Sequence, residues 1–300
     1  MSQGIISVFG GTGFLGDNIA RALVTSGYPV RIVARHPARP GWARENHEIE
    51  LEKADIRDEA GVERAVAGAA AVVNAVSLYV ESGGRDTFEA MHVQGARQLA
   101  RAARDGGASR FVLVSGIGSD KQSPSHYIRA RAQGEEVVRE AFPGATIVRP
   151  SVIFGRGDAF LSALVRVTRA PVVPLFGHGE TRLQPVWVRD VARAVAAIIR
   201  GRGGDEEVFE LGGTIYRYRK VVEMVLEALG RRRLLLPVPF ALWRGGATLL
   251  QPLPNPPLTR DQALMMQWDN VVNGTRGTFQ DLGLAPSSLR ERIGEILAPR

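Results

Sequence analysis

Short apolar runs alternate with longer helical segments along the first half of the chain. Each apolar run is short enough for one buried strand, whereas the segments between them repeat apolar residues every three or four positions, as amphipathic helices do. The strand-like runs cover residues 5–9, 28–35, 49–53, 70–75, 110–115 and 145–149, and the clearest helical segments cover 85–104 and 126–141. This alternation predicts an α/β fold built on a doubly wound parallel sheet.

The second half of the chain has a different pattern, with shorter apolar runs between its helical segments. At this change we divide the chain into residues 1–150 and a smaller, mixed α/β C-terminal lobe over residues 151–300. One helical segment near 191–199 is rich in alanine and valine, and we expect it to pack back on the sheet of the first half. Further short elements are predicted at 160–168, 172–176, 184–188, 208–211, 221–229 and 287–297.

Residues 234–258 form an apolar stretch that is interrupted by six prolines. Its best helical segment is 240–250, which carries Phe240, Leu242 and Trp243. An amphipathic helix that exposed these residues would bind a membrane surface or a partner protein. The same helix packed inward would complete the smaller lobe, and the sequence leaves both interpretations open.

A glycine-rich turn joins the first predicted strand to the first predicted helix. Glycine falls at Gly10, Gly13 and Gly16 within the run GGTGFLG. In such a turn the first glycine allows a tight bend, the second lets the backbone approach a ligand, and the third packs the helix against the strand. Because a helix N-terminus attracts anions, we predict a Rossmann-type dinucleotide site with its pyrophosphate here. We expect three further residues of the turn to contact the phosphates: Thr12, Phe14 and Leu15.

The ends of the next strands indicate which dinucleotide binds. Arg35 ends the second predicted strand, where an acidic residue would bind ribose hydroxyls and an arginine accommodates a 2′-phosphate. We therefore favour NADPH or NADP⁺ over NAD(H); in the alternative, Arg35 is a solvated loop residue. Asp55 and Ile56 follow the third strand, and we expect them to contact the adenine unless Asp55 caps the next helix. The other strand ends would line the cofactor with Ala75, Val76, Ser115 and Pro150.

Composition and charge indicate which kinds of binding site and partner the protein can have. The 300 residues contain no cysteine, and the five histidines show no metal-ligand spacing, so we predict no metal site. The formal net charge of +7 suits anionic lipid or an acidic partner. No nucleic-acid-binding motif accompanies this charge, so we expect no nucleic acid. No apolar run reaches the roughly 20 residues of a transmembrane helix, so we expect no membrane span. Because the first strand closely follows Met1, we also expect no signal or transit peptide.

Several strings resemble the extended or atypical short-chain dehydrogenase/reductases over nearly the whole chain. They include GGTGFLG, Arg35, the Asp55-Ile56 pair, Tyr127 and the run from Arg149-Pro150 to Gly155. More narrowly, the chain is similar to the dehydrogenase-like accessory subunits of respiratory complex I, NADH:quinone oxidoreductase. That similarity rests on YIR at 127–129, RPSVIFGR at 149–156, QPVWV at 184–188, PLTRDQ at 257–262 and DNVV at 269–272.

This resemblance implies a Rossmann domain with a small second lobe and a tightly held NADPH without evident turnover. It implies a bacterial accessory subunit whose partners are other complex I subunits, with anionic lipid at the membrane surface as a further partner of its basic, apolar stretch. The implied location is peripheral, on the cytoplasmic side of the inner membrane. The alternative location is the soluble cytoplasm.

The residues that carry out catalysis in that superfamily are only partly present. Active members use a tyrosine as general acid or base, a lysine four residues later, and a hydroxyl that polarises the substrate carbonyl. This chain has Tyr127, but Arg131 stands in the lysine position and Ile117 in the hydroxyl position. Arginine keeps the charge without the ammonium geometry, so we expect Arg131 to depress the tyrosine pKa or to reach the nicotinamide ribose, and we count Tyr127 and Arg131 among the cofactor-binding residues. Ser119 would substitute for the hydroxyl only after a loop rearrangement. We therefore expect the protein to bind the cofactor without catalysis. One alternative is a free NADP(H)-dependent reductase, epimerase or dehydratase that uses Tyr127. The other is a nucleotide-dependent regulator.

Overall fold

A seven-stranded parallel sheet forms the centre of the structure, a computed structural model that describes residues 4–43, 48–82, 84–250 and 258–298. The strands are β1 (Ile6–Phe9), β2 (Val30–Ala34), β3 (Ile49–Lys53), β4 (Ala71–Asn74), β5 (Arg110–Val114), β6 (Thr146–Pro150), β7 (Ile153–Phe154), β8 (Val172–Phe176), β9 (Arg182–Leu183), β10 (Val186–Trp187), β11 (Val208–Leu211), β12 (Tyr216–Arg217) and β13 (Leu234–Val238). The helices are α1 (Phe14–Thr25), α2 (Glu59–Val66), α3 (Gly95–Asp105), α4 (His126–Ala141), α5 (Ala159–Val167), α6 (Val188–Ile199), α7 (Tyr218–Ala228), α8 (Phe240–Leu250), α9 (Arg260–Met265) and α10 (Leu289–Leu297).

The order of strands across the central sheet is β11-β6-β5-β4-β1-β2-β3, and all neighbours are parallel. This order confirms the predicted doubly wound α/β fold. The winding reverses between β1 and β4, which are neighbours although β2 and β3 separate them along the chain. At such a reversal a crevice opens beyond the carboxyl ends of the strands. The glycine turn follows β1 and therefore lies at this crevice.

Alternate residues of the central strands point into two separate cores. Val8 belongs to a core built with α1 and α6, whereas Phe9 belongs to a core built with α2, α3 and α4. Because α6 packs directly against α1, a helix of the second half of the chain covers the sheet of the first half. Apart from the edge strand β3, which is mostly exposed or half-buried, the sheet is buried on both faces, which explains why its other strands read as largely apolar runs.

The helix predicted over 85–104 contains a π-helical turn. Glu89–Gln94 form this turn, and regular α-helix continues as α3. The chain segments approach closely here at two glycines. A Cβ at Gly134 of α4 would overlap the His92 backbone carbonyl, and a Cβ at Gly95 would lie 2.9 Å from the Ile56 side chain. The wide turn is thus packed tightly against α4, a tertiary effect that sequence periodicity does not reveal.

The second half of the chain contributes to the central sheet as well as to a smaller group of elements. The segment 208–211 was predicted as a short strand of the smaller lobe, whereas β11 pairs with β6 at the edge of the central sheet. The strand pairs β7–β10, β8–β13 and β9–β12 accompany a further core that includes α5, α7 and α10. The division of the chain at residue 150 stays a prediction.

Most of the apolar, proline-interrupted stretch forms regular structure. β13 and α8 account for its first part, which confirms the predicted helix over 240–250, and residues 251–257 lie outside the described residues. Trp243 packs inward on Phe176 with ring centroids 4.3 Å apart, while Leu242 and Leu249 are exposed. The helix therefore completes the lobe with one face and presents apolar residues on another. Within the described ranges, no helix combines the length and apolar character that crossing a membrane requires.

A buried ion pair joins α4 to the end of β6. Arg149 donates to both carboxylate oxygens of Glu135, at 2.9 and 2.6 Å, and lies 3.5 Å from Glu210 of β11. Burial opposes the charged form of Arg149, but the two carboxylates outweigh burial and raise the pKa of Arg149. Glu135 and Glu210 are themselves buried, so this guanidinium is the main compensation for their charges, with Arg139 at 3.9 Å from Glu135 as a weaker second cation.

Candidate functional site

The glycine turn leaves the start of α1 open to solvent. Gly10 has a φ of +75°, which glycine adopts without strain, and a Cβ there would lie 2.9 Å from the Ala75 carbonyl oxygen. The Gly13 N–H donates to the Gly10 carbonyl over 2.9 Å, and a Cβ at Gly16 would overlap that same oxygen. No side chain among the described residues caps α1, and Thr12 and Gly13 are exposed. The first N–H groups of α1 therefore face an open site for an anion.

The other strand-end residues predicted for the cofactor lie along the same edge of the sheet. The Ala75 N–H donates to the Phe9 carbonyl over 2.9 Å, which holds the end of β4 beside the glycine turn. The parallel strands bring their carboxyl ends together. The structure places along this edge Phe14 and Leu15 at the start of α1, Val76 after β4, Ser115 after β5 and Pro150 at the end of β6.

Four charged residues form a network where the adenosine is predicted to lie. Arg57 donates from Nε and Nη2 to the two carboxylate oxygens of Asp55, at 2.8 and 2.6 Å. Its Nη1 donates to Asp86 over 2.7 Å, and Nη1 of Arg35 lies 3.9 Å from the same Asp86 oxygen. The Arg35 side chain is 59% exposed, against 15% for Arg57. An incoming anion can thus reach the guanidinium of Arg35, whereas that of Arg57 is already bound to two carboxylates.

Asp55 and Ile56 both make contacts with other residues of the protein. Asp55 also accepts from the Arg57 backbone N–H at 3.0 Å, and the side-chain hydrogen bond from Arg57 holds the pKa of Asp55 below its usual range. The residue that immediately precedes α2 is Asp58 rather than Asp55. Ile56 is buried against Gly95. Contact of either residue with an adenine stays a prediction. Arg57 holds Asp55 in place, and the sequence analysis did not identify Arg57.

Tyr127 and Arg131 bind each other on the buried face of α4. The Ser125 side chain caps the helix, and the spacing of four residues puts Tyr127 and Arg131 on one face. Arg131 donates to the Tyr127 hydroxyl from Nε at 3.1 Å and from Nη2 at 2.9 Å. It also donates to the Val114 carbonyl and the Ser77 hydroxyl, each at 2.8 Å. Burial acts to lower the pKa of Arg131, but contact with the tyrosine raises it overall, so the guanidinium is charged.

Tyr79 and His92 also contact Tyr127, and neither contact was predicted. Tyr79 stacks on Tyr127 with ring centroids 5.6 Å apart and is 59% exposed. The neighbouring Tyr127 raises the pKa of Tyr79 to about 12. His92 meets the edge of the Tyr127 ring at 5.7 Å, and its Nε2 lies 3.0 Å from the Leu78 carbonyl. Burial, reinforced by the charge of Arg131, lowers the pKa of His92 to about 3. The site therefore contains a neutral imidazole next to a charged guanidinium.

The hydroxyl groups that follow β5 are bound to each other. Ser115 Oγ and Ser119 Oγ lie 3.1 Å apart, and Ser119 donates to the Gly116 carbonyl over 2.9 Å. Ile117 is buried between these positions in the sequence. The position that would carry a substrate-polarising hydroxyl therefore holds a buried aliphatic side chain.

A segment from the C-terminal region completes the surroundings of Tyr127. The Ser125 hydroxyl donates to Oδ1 of Asp261 over 2.5 Å, which ties the first turn of α4 to α9. Met265 of α9 packs against the cluster that contains Phe88 and Tyr127. The site is therefore built from both halves of the chain.

Two shallow surface depressions lie away from these residues. One, of about 430 Å³, is lined by residues around Arg139 and Glu207, and the other, of about 470 Å³, by residues around Lys121 and Glu136. Neither includes the glycine turn or Tyr127. The assignment of a dinucleotide site to the glycine turn therefore stays a prediction, which rests on backbone geometry and hydrogen bonding.

Comparisons with known proteins agree with this assignment. The chain is 31% identical to NADH dehydrogenase (ubiquinone) 1 alpha subcomplex subunit 9, mitochondrial, of Arabidopsis thaliana, over 98% of this chain and 77% of that protein. It is 29% identical to the ceramide reductase of Caulobacter vibrioides, over 91% of this chain and 80% of that protein. An NADPH-dependent quinone oxidoreductase of Escherichia coli, solved with NADPH, shares the fold with a TM-score of 0.76 at 17% identity, over 98% of this chain and 100% of that one.

The family model described as NAD dependent epimerase/dehydratase matches residues 6–212. This range begins with β1 and extends just past β11, so it includes every strand of the central sheet. Members of this family and its structural neighbours bind NAD(P) nucleotides, and doubly wound sheets in general bind their ligands beyond the carboxyl ends of the strands. The chain therefore belongs to the NAD-dependent epimerase/dehydratase family of extended short-chain dehydrogenase/reductases.

Proposed function

We propose that this protein is an NADP(H)-binding accessory subunit of respiratory complex I and does not itself catalyse hydride transfer. Its relatives in Arabidopsis thaliana and Neurospora crassa are named as subunits of NADH dehydrogenase and of NADH-ubiquinone oxidoreductase. The similarity extends over 98% and 94% of this chain, so the smaller lobe is shared as well as the sheet. The observation that carries the proposal is the buried Ile117, which stands in the hydroxyl position of active members in a chain that keeps the glycine turn.

The charges at the end of β2 support the choice of NADP(H). Arg35 is the exposed cation at the place where a doubly wound fold meets the adenosine ribose. Guanidinium binds a phosphate through parallel hydrogen bonds, so this side chain favours a 2′-phosphate. The acidic residue that would bind free ribose hydroxyls is absent at position 35.

The residues around Tyr127 support binding without turnover. The hydroxyls of Ser115 and Ser119 are bound to each other, and Ile117 offers no hydroxyl for a carbonyl oxygen. The stacked ring of Tyr79 covers Tyr127 on one side. A nucleotide held here would stabilise the first half of the chain by binding only the folded state.

The surface formed by β13 and α8 supports attachment to a membrane-bound complex. Leu234, Leu236, Leu242 and Leu249 are exposed, at 65%, 48%, 65% and 82%. The sequence from Ala228 to Arg260 contains five arginines and no acidic residue. Apolar side chains among cations suit an interface with anionic lipid. We therefore propose a peripheral position on the cytoplasmic side of the inner membrane, in contact with complex I subunits and anionic lipid.

Nucleotide choice is tested by calorimetric titration of the purified protein with NADPH and with NADH. We expect NADPH to bind more tightly, and Arg35→Asp to weaken NADPH by at least about tenfold with little effect on NADH. Arg200→Asp is the matched control, because Arg200 is exposed at the end of α6, away from the carboxyl ends of the strands. Equal affinities of the unmutated protein for NADPH and NADH would contradict the choice of NADP(H).

Membership of the complex is tested on complex I extracted from the source organism's own membranes in a mild detergent. Native mass spectrometry should detect this polypeptide in the complex with one NADPH or NADP⁺ bound. A complete, active complex I without this polypeptide would rule out the accessory-subunit function. If the polypeptide is associated with the complex but carries no nucleotide, the proposed NADP(H) binding would be ruled out and the accessory-subunit function would stand.

A free reductase is the second candidate, and the two hydrogen bonds from Arg131 to the Tyr127 hydroxyl favour it. These charged donors hold the hydroxyl in one place, as a proton donor to a substrate oxygen requires. The similarity to a ceramide reductase makes lipid carbonyl compounds one class to include in a substrate panel. NADPH oxidation that Tyr127→Phe abolishes would support this function. Absence of hydride transfer over a broad carbonyl panel would count against it.

A further inference from the structure

Asp86 connects the exposed arginine of the dinucleotide site to the network at the end of β3. Its Oδ1 lies 2.7 Å from Nη1 of Arg57 and 3.9 Å from Nη1 of Arg35. Its Oδ2 accepts from the Ser82 hydroxyl at 3.4 Å. Asp86 comes from the segment between β4 and the π-helical turn, so a third part of the chain supplies a negative charge at this position.

The two arginines of the network are not equally available to a ligand. Arg57 binds both oxygens of Asp55, one oxygen of Asp86 and, from Nη1, the Arg85 carbonyl at 2.6 Å. Turning Arg57 toward a phosphate would break these bonds and leave Asp55 without its partner. Arg35 makes one long ion-pair contact within this network, to Asp86, and its charge also acts on Asp55, which is already held by Arg57. Asp86 is therefore the carboxylate that a phosphate would meet when it approaches Arg35.

We propose that Asp86 limits the preference of this protein for 2′-phosphorylated dinucleotides by opposing the phosphate that Arg35 attracts. This inference rests on the proposed binding of NADP(H). A 2′-phosphate placed at Arg35 comes close to the Asp86 carboxylate, and the two anions repel each other and compete for one guanidinium. The 2′-hydroxyl of NADH is uncharged, so Asp86 does not repel it.

The effect of Asp86 on phosphate binding depends on its negative charge and can be separated from its role in the hydrogen-bond network. Asparagine has the same shape as aspartate and keeps an oxygen that Arg57 can bind. Replacing Asp86 by asparagine therefore removes the repulsion while leaving the network largely in place. Because Arg35 is exposed, salt will screen the repulsion, as it does for other charges near the surface.

The test compares the affinities of Asp86→Asn and the unmutated protein for NADPH and NADH by isothermal titration calorimetry. We expect Asp86→Asn to tighten NADPH about threefold to tenfold and to change NADH by less than about twofold. Raising the salt concentration from about 50 mM to about 500 mM should remove most of this gain. Asp86→Glu keeps the charge and should keep the original ratio of affinities.

Asp105→Asn is the matched control, because it makes the same change in net charge at an exposed residue. Asp105 ends α3 at the opposite edge of the sheet, so both affinities should stay unchanged. Thermal unfolding of each variant verifies that it is folded. An unchanged or weakened NADPH affinity in folded Asp86→Asn would overturn the role of Asp86 while leaving NADP(H) binding intact. An unmutated protein that binds neither dinucleotide would overturn this inference and the proposed function together.

Discussion

Acidification will weaken the fold through His92, the buried histidine of the π-helical turn. Burial and the charge of Arg131 lower the pKa of His92 to about 3 in the folded protein, whereas an unfolded chain has the ordinary histidine pKa of about 6.5. Between these two values the unfolded state binds more protons than the folded state. The free energy of unfolding contributed by His92 is therefore complete above pH about 6.5 and is lost as the pH falls from there toward about 3.

The size of this loss follows from the two pKa values. At pH 7 His92 is mostly neutral in both states, so its contribution changes little. At pH 5 it is protonated in the unfolded chain and neutral in the folded protein, and the difference lowers the free energy of unfolding by about 2 kcal/mol. Each further pH unit down to about 3 lowers it by about 1.4 kcal/mol more.

Urea unfolding followed by circular dichroism at about pH 7 and about pH 5 measures the effect. Carboxylates also titrate in this range, so the informative quantity is the difference between the unmutated protein and His92→Gln. Glutamine can still donate to the Leu78 carbonyl, and this variant should lose about 2 kcal/mol less between the two pH values. His126→Gln, at an exposed histidine, should behave like the unmutated protein. Equal losses in the unmutated protein and in His92→Gln would show that His92 is not held neutral.

Three further variants test other parts of the structure. Arg149→Met should lower the free energy of unfolding by about 3–5 kcal/mol in urea, because the buried carboxylates of Glu135 and Glu210 lose their partner; a loss below about 1 kcal/mol would show that this ion pair is not essential. Gly16→Ala should weaken NADPH at least about tenfold by calorimetry, because the added Cβ would overlap the carbonyl of the glycine turn. Tyr127→Phe should keep the NADPH affinity within about twofold, because a bound nucleotide contacts many other groups; a large loss would mean that the hydroxyl itself binds the nucleotide.

The strands of the central sheet could be predicted because both faces of the sheet are buried. β1 and β4 are buried at every position and β6 at three of its five positions, and each contains adjacent apolar residues, so local pattern locates them. The partner of β11 could not be predicted in the same way. Its pairing with β6 spans a large separation in sequence, and such pairing depends on how the intervening helices pack.

In the candidate site, too, the residues marked by a local sequence pattern could be predicted, and those brought together by long-range contacts could not. The glycine turn, Arg35 and the Tyr127–Arg131 pair could be identified because each occupies a set position after a strand or within one helix. Arg57 and Asp86 could not, because their hydrogen bond joins positions 29 residues apart in sequence. His92 was also missed, because its contact with the Tyr127 ring joins positions 35 residues apart in sequence.

The hydrogen bond between Ser125 and Asp261 bears on the order in which a newly made chain acquires its structure. It joins positions 136 residues apart, and Asn270 likewise binds the Ser151 hydroxyl through its side chain at 2.6 Å. A ribosome releases the glycine turn and the end of β2 long before either of these late residues. The first turn of α4 and the segment that follows β6 therefore gain these hydrogen-bond partners only after most of the chain has been made. Until then, the helix that carries Tyr127 lacks its contact with α9, so this part of the fold is completed late.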